Sequence, residues 1–465
     1  MNGLMNWLEK YVVPVATKVG SQKHLVALRD AFIGTMPATM AGSIAVLLNA
    51  FLRDFPTEWG WTGFVKAMNP IIGVNGFVWT GTLAVVAVIF SMTLGYNLAK
   101  AYKVDALSGA VVSLAAFVMG LAQAATVDFP LKAVLSKSAV TMITDAGGQV
   151  ATADGVSVIS STGGSYFNIG AHLGGTGLFT AMLFGFISVI IFSKLMLANI
   201  TIKMPEQVPP AVSKAFAAII PATVALYVSG IINFVFTKVT GMAIIDWISA
   251  EIQAPLLALS QGFSVVLLIT FLVQLLWFFG IHGPNVLAPV LESIWGTAGL
   301  ENVNAAQKGL PLPYEWVRGS FDAYVWMGGS GGTIVLIIAI LLFSKRADQL
   351  TVAKLSLAPG IFNINEPAMF GLPIVLNAIY FIPFLLAPCV MVTIAYFATT
   401  LGLVSPIKVQ VLWVMPPFLN SFLATGGDWR APILTLINSV VAFAIWTPFV
   451  LAANKIDPNA GEVDA

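Results

Sequence analysis

The sequence predicts an all-α polytopic membrane protein with about ten transmembrane helices and two re-entrant hairpins. Of its 465 residues, 58% are hydrophobic and only 9% are charged, whereas a water-soluble domain carries about 25% charged residues. Lipid must therefore face much of the surface. The apolar residues also gather into runs of roughly 20, the length that crosses a bilayer as a helix. Two other stretches mix apolar residues with clustered Pro, Gly and polar side chains, which suits backbone broken inside a membrane.

Composition narrows the function. A formal net charge of +1 excludes an extended nucleic-acid surface. The one cysteine, Cys389, allows no internal disulfide and no cysteine metal cluster. Gly328–Thr333 (GGSGGT) lacks the lysine of a phosphate-binding loop and suits close helix packing instead. There is no H-E-x-x-H motif, and His24 and His172 have no ligand-spaced companions. No cofactor and no metal are expected.

Taken in order, the first 28 residues lack the apolar core and cleavage site of a secretory signal. Leu4, Trp7, Leu8, Tyr11, Val12 and Val15 recur at helical spacing, predicting a short amphipathic helix on the membrane face, bent at Pro14. Spans are expected near residues 31–52, 77–98 and 107–126. Residues 128–177 turn polar and rich in Ser, Thr and Gly, predicting an exposed loop with hairpin turns. Spans four and five, near 178–197 and 216–236, flank a break carrying Lys203, Pro209, Pro210 and Lys214.

Residues 237–261 contain Asp246, Glu251 and several turn formers, predicting a surface-lying connector. It divides the chain into an N-terminal membrane half (1–240), an amphipathic connector (241–260) and a C-terminal half (261–465). Spans six and seven are expected near 263–281 and 325–343, and the last three near 374–401, 409–424 and 432–453. The ninth is short and carries Pro416 and Pro417. An even count puts both termini on one side. Lys10, Lys18, Lys23, Arg29, Lys100, Lys103, Lys194, Lys203 and Lys214 favour the cytoplasm as that side.

The candidate site begins at Leu355–Pro373, LSLAPGIFNINEPAMFGLP. Pro359, Pro367 and Pro373 remove backbone donors, and Glu366 sits among Asn363 and Asn365. A carboxylate on broken backbone at membrane depth needs protein or a wet cavity around it. It can accept charge-assisted hydrogen bonds from sugar hydroxyls, or pair with His282 or Arg430 as a structural ion. The amides can bind hydroxyls or satisfy freed backbone. The second stretch is Trp277–Pro289, WFFGIHGPNVLAP, where His282 lies between two glycines. A lone histidine is more often a cap or a packing residue, but two broken segments shift the balance toward ligand binding. Trp277 and Trp413 are flat enough to cover the apolar face of a sugar, or belong to the interfacial belt. Asp428 and Arg430 read as an interfacial pair.

Together, NINEP at Asn363–Pro367, GIHGPN at Gly280–Asn285 and WVMPP at Trp413–Pro417 resemble the sugar-transporting IIC subunits of the bacterial phosphotransferase system. The branch is the lactose, N,N′-diacetylchitobiose and cellobiose family. The resemblance implies an inner-membrane homodimer whose N-terminal spans form the dimer interface. It implies a C-terminal half that carries a β-linked disaccharide as an elevator. It puts the sugar contacts on His282 and Glu366, with Asn365, Trp277 and Trp413 as weaker carry-overs, and allows Glu366 to orient or deprotonate the acceptor hydroxyl. A separate cytoplasmic IIB phosphoprotein is implied as the phosphate donor. Two other classes compete: a proton- or sodium-coupled symporter with Glu366 as the ion site, and a membrane hydrolase, for which no nucleophile motif is found.

Overall fold

The computed structural model describes residues 10, 14, 17, 18 and 20–454, except 122–123, 131–133, 147, 154–155, 165–171, 206 and 373. The apolar positions of the expected amphipathic helix, Leu4, Trp7, Leu8, Tyr11, Val12 and Val15, lie outside the described residues. The rest is built almost wholly from helices.

Helix α1 (Lys23–Asn49) starts where the Gln22 side chain accepts the Leu25 N–H at 2.8 Å, filling one of the unpaired donors of a helix start. It runs on through a π-helical turn (Ala50–Asp54) and a short helix (Phe55–Glu58). Helices α2 (Thr62–Gly81), α3 (Val86–Ala101) and α4 (Ala106–Met119) follow. Small residues let α3 and α4 touch: a Cβ on Gly95 would lie 2.4 Å from the Gly109 carbonyl oxygen. Close helix contact of this kind gains dispersion energy where lipid offers no hydrophobic drive.

Residues 124–164 amend the all-α expectation. Strands β1 (Ala124–Pro130), β2 (Gln149–Ala153) and β3 (Val156–Gly164) form an antiparallel sheet of order β1-β3-β2, with helix α5 (Lys137–Asp145) inserted before β2. Val150 pairs with Ile159 and Ala125 with Gly163. The expected hairpin is there, but extended by a third strand, because Val, Ile, Ser and Thr in this stretch suit a pleated surface.

Helix α6 (Leu178–Leu197) falls on the fourth expected span. Helix α7 (Pro210–Thr240) begins at a proline and ends at Gly241, whose φ of +74° is the left-handed turn that closes many helices. The connector is helical: α8 (Ile244–Ser260) meets α9 (Phe263–Phe278) at a bend of 75°. Gln261 fixes that bend. Its carboxamide oxygen accepts the Trp316 N–H at 2.9 Å, its Nε2 donates to the Trp316 carbonyl at 3.0 Å, and its own carbonyl accepts the Tyr396 hydroxyl at 2.6 Å.

The remaining helices are α10 (Gly283–Val290), continued by a π-helical turn (Leu291–Gly296) into α11 (Thr297–Gln307), then α12 (Arg318–Tyr324), α13 (Thr333–Phe343), α14 (Ala347–Ile361), α15 (Glu366–Gly371), α16 (Ala378–Thr400), α17 (Pro417–Ala424) and α18 (Arg430–Ala453). Among the described residues, six helical stretches are long and apolar enough to cross a membrane, or seven if α8 and α9 form one bent span, while α4 and α13 are shorter apolar helices. The expected ninth span, 409–424, is helical only from Pro417. Hydropathy marks where apolar residues lie, and Pro416–Pro417 decide where helix can form. The second expected span begins earlier than hydropathy suggests, as α2 joined to α3.

Two packed aromatic clusters fill the C-terminal half. One holds Trp277, Phe278, Tyr380, Phe384 and Trp446, and the other Trp295, Trp316, Phe321 and Tyr324. The N-terminal half has its own core around Phe90, Leu94, Phe117 and Leu178, which Leu300, Val303 and Val409 join from the C-terminal half.

Candidate functional site

His282 is the non-helical residue that caps α10. Its Nδ1 accepts the Asn285 backbone N–H at 3.2 Å, so the proton of the neutral ring belongs on Nε2. Nε2 lies 3.9 Å from Glu366 Oε1, with side-chain exposures of 37% and 47%, so both groups can meet a ligand. Glu366 opens α15, where the free N–H groups of a helix start favour a negative charge. The two residues, 84 positions apart in sequence, are thus brought together by two helix starts that Gly283–Pro284 and Pro367 enforce.

Trp277 backs the imidazole. Its ring centroid is 4.5 Å from that of His282 and 6.3 Å from that of Phe370, and only 2% of the residue is exposed. Its contact with the site is therefore made mainly through the histidine it supports. Trp413 is the opposite case, 44% exposed, with a free surface turned to the same cavity.

The two amides of NINEP divide. Asn363, held at φ +61°, donates from Nδ2 to the carbonyls of Trp413 at 2.6 Å and Met415 at 2.9 Å, and accepts the Gly328 N–H at 2.8 Å. It satisfies backbone that the prolines leave without helix. Asn365 lines the cavity and donates to the Ser330 carbonyl at 3.0 Å. The GGSGGT run is a turn pressed onto Asn365 as well as the expected close helix contact: Gly329 has φ +96° and a Cβ there would lie 2.6 Å from Asn365 Cγ, while Gly331 and Gly332 abut Phe384 and Met391 of α16. Only glycine takes that backbone so close to another side chain.

These groups line a cavity of about 600 Å³, within the range of small-molecule sites. Its walls come from both halves: Arg29, Phe32 and Met36 of α1 on one side, and His282, Glu366 and Trp413 on the other. The sequence reading did not single out Arg29, which it counted as a loop charge. Nor did it find the half-buried charge cluster at another part of the wall. Arg318 donates to Glu292 at 2.9 Å and Asp322 at 2.7 Å, its guanidinium 4.9 Å from the centre of the Trp326 ring. The available signal was charge inside otherwise apolar sequence. Arg430 pairs with Asp428 at 2.8 Å. Burial works to raise the Asp428 pKa, but hydrogen bonds from Arg430 and Ser405 hold its carboxyl well below the usual carboxylate range. Among the described residues, no group of three or more His, Cys, Asp or Glu could hold a metal ion.

A cavity with a carboxylate, an imidazole N–H and an open aromatic face suits a polyhydroxylated ring. Residues 29–388 match the family model described as "Phosphotransferase system, EIIC". The chain is 48% identical to a "PTS system cellobiose-specific EIIC component" of Lactococcus lactis subsp. lactis, covering 98% of this chain and 99% of the relative. It is 35% identical to a "PTS system oligo-beta-mannoside-specific EIIC component" of Bacillus subtilis, covering 97% and 94%. In three dimensions it is similar to the solved "transporter ChbC, the IIC component from the N,N'-diacetylchitobiose-specific phosphotransferase system", with a TM-score of 0.85, 33% identity, and coverage of 99% of this chain and 100% of that one.

Proposed function

This chain belongs to the phosphotransferase system EIIC family and is a membrane sugar permease of that system; from that premise we propose that its cavity carries a β-linked disaccharide of the cellobiose type. The relative named for cellobiose, 48% identical along nearly the full chain, supports that sugar. The observation that carries the site is the approach of His282 Nε2 to Glu366 Oε1, 3.9 Å apart on the wall of the cavity. The carboxylate accepts hydroxyls, the imidazole N–H donates to one, and Trp413 covers an apolar ring face. Asn365 and Trp277 act around them, Trp277 through His282. In this reading Glu366 also orients or deprotonates the hydroxyl that receives phosphate from a cytoplasmic IIB phosphoprotein.

The whole-molecule reading follows the same premise. The chain divides into a scaffold half (1–240), a connector (241–260) and a transport half (261–465) that moves as an elevator, with ten spans and cytoplasmic termini in the inner membrane. Two copies associate through the N-terminal half. The wide exposure of α2 and α7, where Phe77 is 82% and Tyr227 71% exposed, supports a second copy or lipid on those faces. The competing symporter reading gains no support from the relatives.

Calorimetry on the purified protein with cellobiose, N,N′-diacetylchitobiose and lactose tests the substrate class. Cellobiose is expected to bind at least about tenfold tighter than lactose, a difference of roughly 1.4 kcal/mol. Equal affinity for all three, or binding of none, overturns the cellobiose assignment.

A further inference from the structure

We propose that Arg29, contributed by the scaffold half, is a catalytic residue that stabilises the phosphoryl group during its transfer to the bound sugar. The proposal rests on the permease reading above and assigns a new role to one wall of the same cavity.

The charges on that wall carry the argument. Among the described residues, the lining holds two arginines, Arg29 and Arg318, and three carboxylates, Glu292, Asp322 and Glu366. Arg318 is already paired with Glu292 and Asp322 through Nε and Nη1, so its charge is more than balanced. Arg29 is different. Its Nε and Nη2 both donate to one oxygen of Asp30, at 2.9 and 2.7 Å, which anchors the guanidinium and leaves Nη1 without a hydrogen bond among the described residues. Asp30 itself does not line the cavity. Arg29 lines the same cavity as His282 and Glu366.

The reaction needs such a group. A transferring phosphoryl carries negative charge on its peripheral oxygens, and catalysis depends on positioning and on cations aimed at that charge. Here the acceptor hydroxyl lies beside a carboxylate, so the incoming phosphoryl meets like charge unless a cation offsets it. In the step proposed, the hydroxyl oxygen attacks phosphorus and forms the new P–O bond. The bond from phosphorus to the donor atom of the IIB phosphoprotein breaks, and the donor leaves with the electron pair. The hydroxyl proton passes to Glu366. Arg29 takes no proton; its Nη1 hydrogen-bonds a peripheral phosphoryl oxygen. Its fork of donors suits that contact.

The test separates sugar binding from phosphoryl transfer. The full-length protein and its Arg29→Gln and Arg29→Lys variants are reconstituted with cellobiose and with IIB phosphoprotein. Sugar affinity is read by calorimetry without the donor, and sugar phosphate is counted at saturating sugar with it. Arg29→Gln is expected to change sugar affinity less than about threefold and to lower kcat at least about 100-fold, the usual loss for one group aimed at transition-state charge. Arg29→Lys, which keeps the charge and tests a fold close to wild type, is expected to recover part of the rate. An unchanged kcat in Arg29→Gln, or a rate loss wholly explained by weaker sugar binding, overturns the proposal. Equal losses in Arg29→Lys and Arg29→Gln also overturn it, because charge is then not what matters. Failure of the wild-type protein to yield sugar phosphate would instead overturn the underlying permease reading.

Discussion

Glu366 and His282 illustrate what one side chain can contribute here. Each caps or opens a helix, and each keeps more than a third of its side chain exposed. Replacing Glu366 with Gln preserves shape and removes charge, so hydroxyl bonds lose their charge assistance. The expected cost is about 1–3 kcal/mol in sugar binding, or roughly 5- to 150-fold in affinity. His282→Ala is expected to weaken binding as well, and the double variant to lose less than the sum if both residues hold one ligand as proposed. Calorimetry on folded variants checks this; wild-type affinity in both would remove the pair from the sugar site. At this scale the sequence was informative. Glycines and prolines around His282 and Glu366 mark non-helical backbone, and a carboxylate there has few structural uses. Asn363 was not readable in the same way. Its amide could serve sugar or backbone, and only the positions of Trp413, Met415 and Gly328 decide for backbone.

At the scale of elements, the site depends on three irregular segments that meet: the glycine turn 328–332, NINEP, and the stretch entering α17. Gly329→Ala tests the meeting point. A methyl there meets Asn365 Cγ at 2.6 Å on a backbone of φ +96°, so the turn or Asn365 must move. Strain of this kind costs on the order of 1–3 kcal/mol. The expected outcome is a lower Tm together with weaker sugar binding, read by thermal unfolding and calorimetry on one sample; an unchanged value of both would show that the turn yields without consequence. Helix existence was largely legible from apolar runs, as α6 shows by matching its expected range. Helix length was less so. The segment before α17 is as apolar as a span, and its shape depends on backbone that folds along the cavity wall, information spread over α1, α11 and NINEP.

For the whole molecule, association is the open question the surfaces raise. Helices α2 and α7 bury few of their own residues, Asn75 in α2 and Ala218, Pro221, Ala225 and Ser229 in α7. A two-fold contact on the N-terminal half is expected to protect Phe77 and Tyr227. Single cysteines at these positions, in a Cys389→Ser background, should give symmetric cross-links in native membranes. Only monomers in both membranes and mild detergent would argue for lipid as the sole neighbour. Gly95 and Gly109 are used between α3 and α4 of one chain, so the proposed contact between copies falls to the exposed faces of α2 and α7.

The connector has a mechanical consequence of its own. One end of α8 is held by the N-terminal half: Ile244 and Ile248 pack with Ala116 and Phe184, and Asp246 meets His172 at 2.9 Å. The other end is held by the C-terminal half, where Gln253 donates to Glu301 at 2.6 Å, the Ser260 carbonyl accepts the Trp295 indole N–H at 3.2 Å, and Gln261 is bonded on three sides. Such an element is a beam clamped at both ends, not a slack cord. Displacing one half against the other loads it in bending, and the strain collects in the unclamped length, Ser249 to Ile252, inside its π-helical turn (Ile248–Gln253). Widened turns of this type already depart from the tighter α-helical ladder and yield first. If the C-terminal half moves as proposed, the connector is a leaf spring with a rest position, and each excursion works against its restoring force.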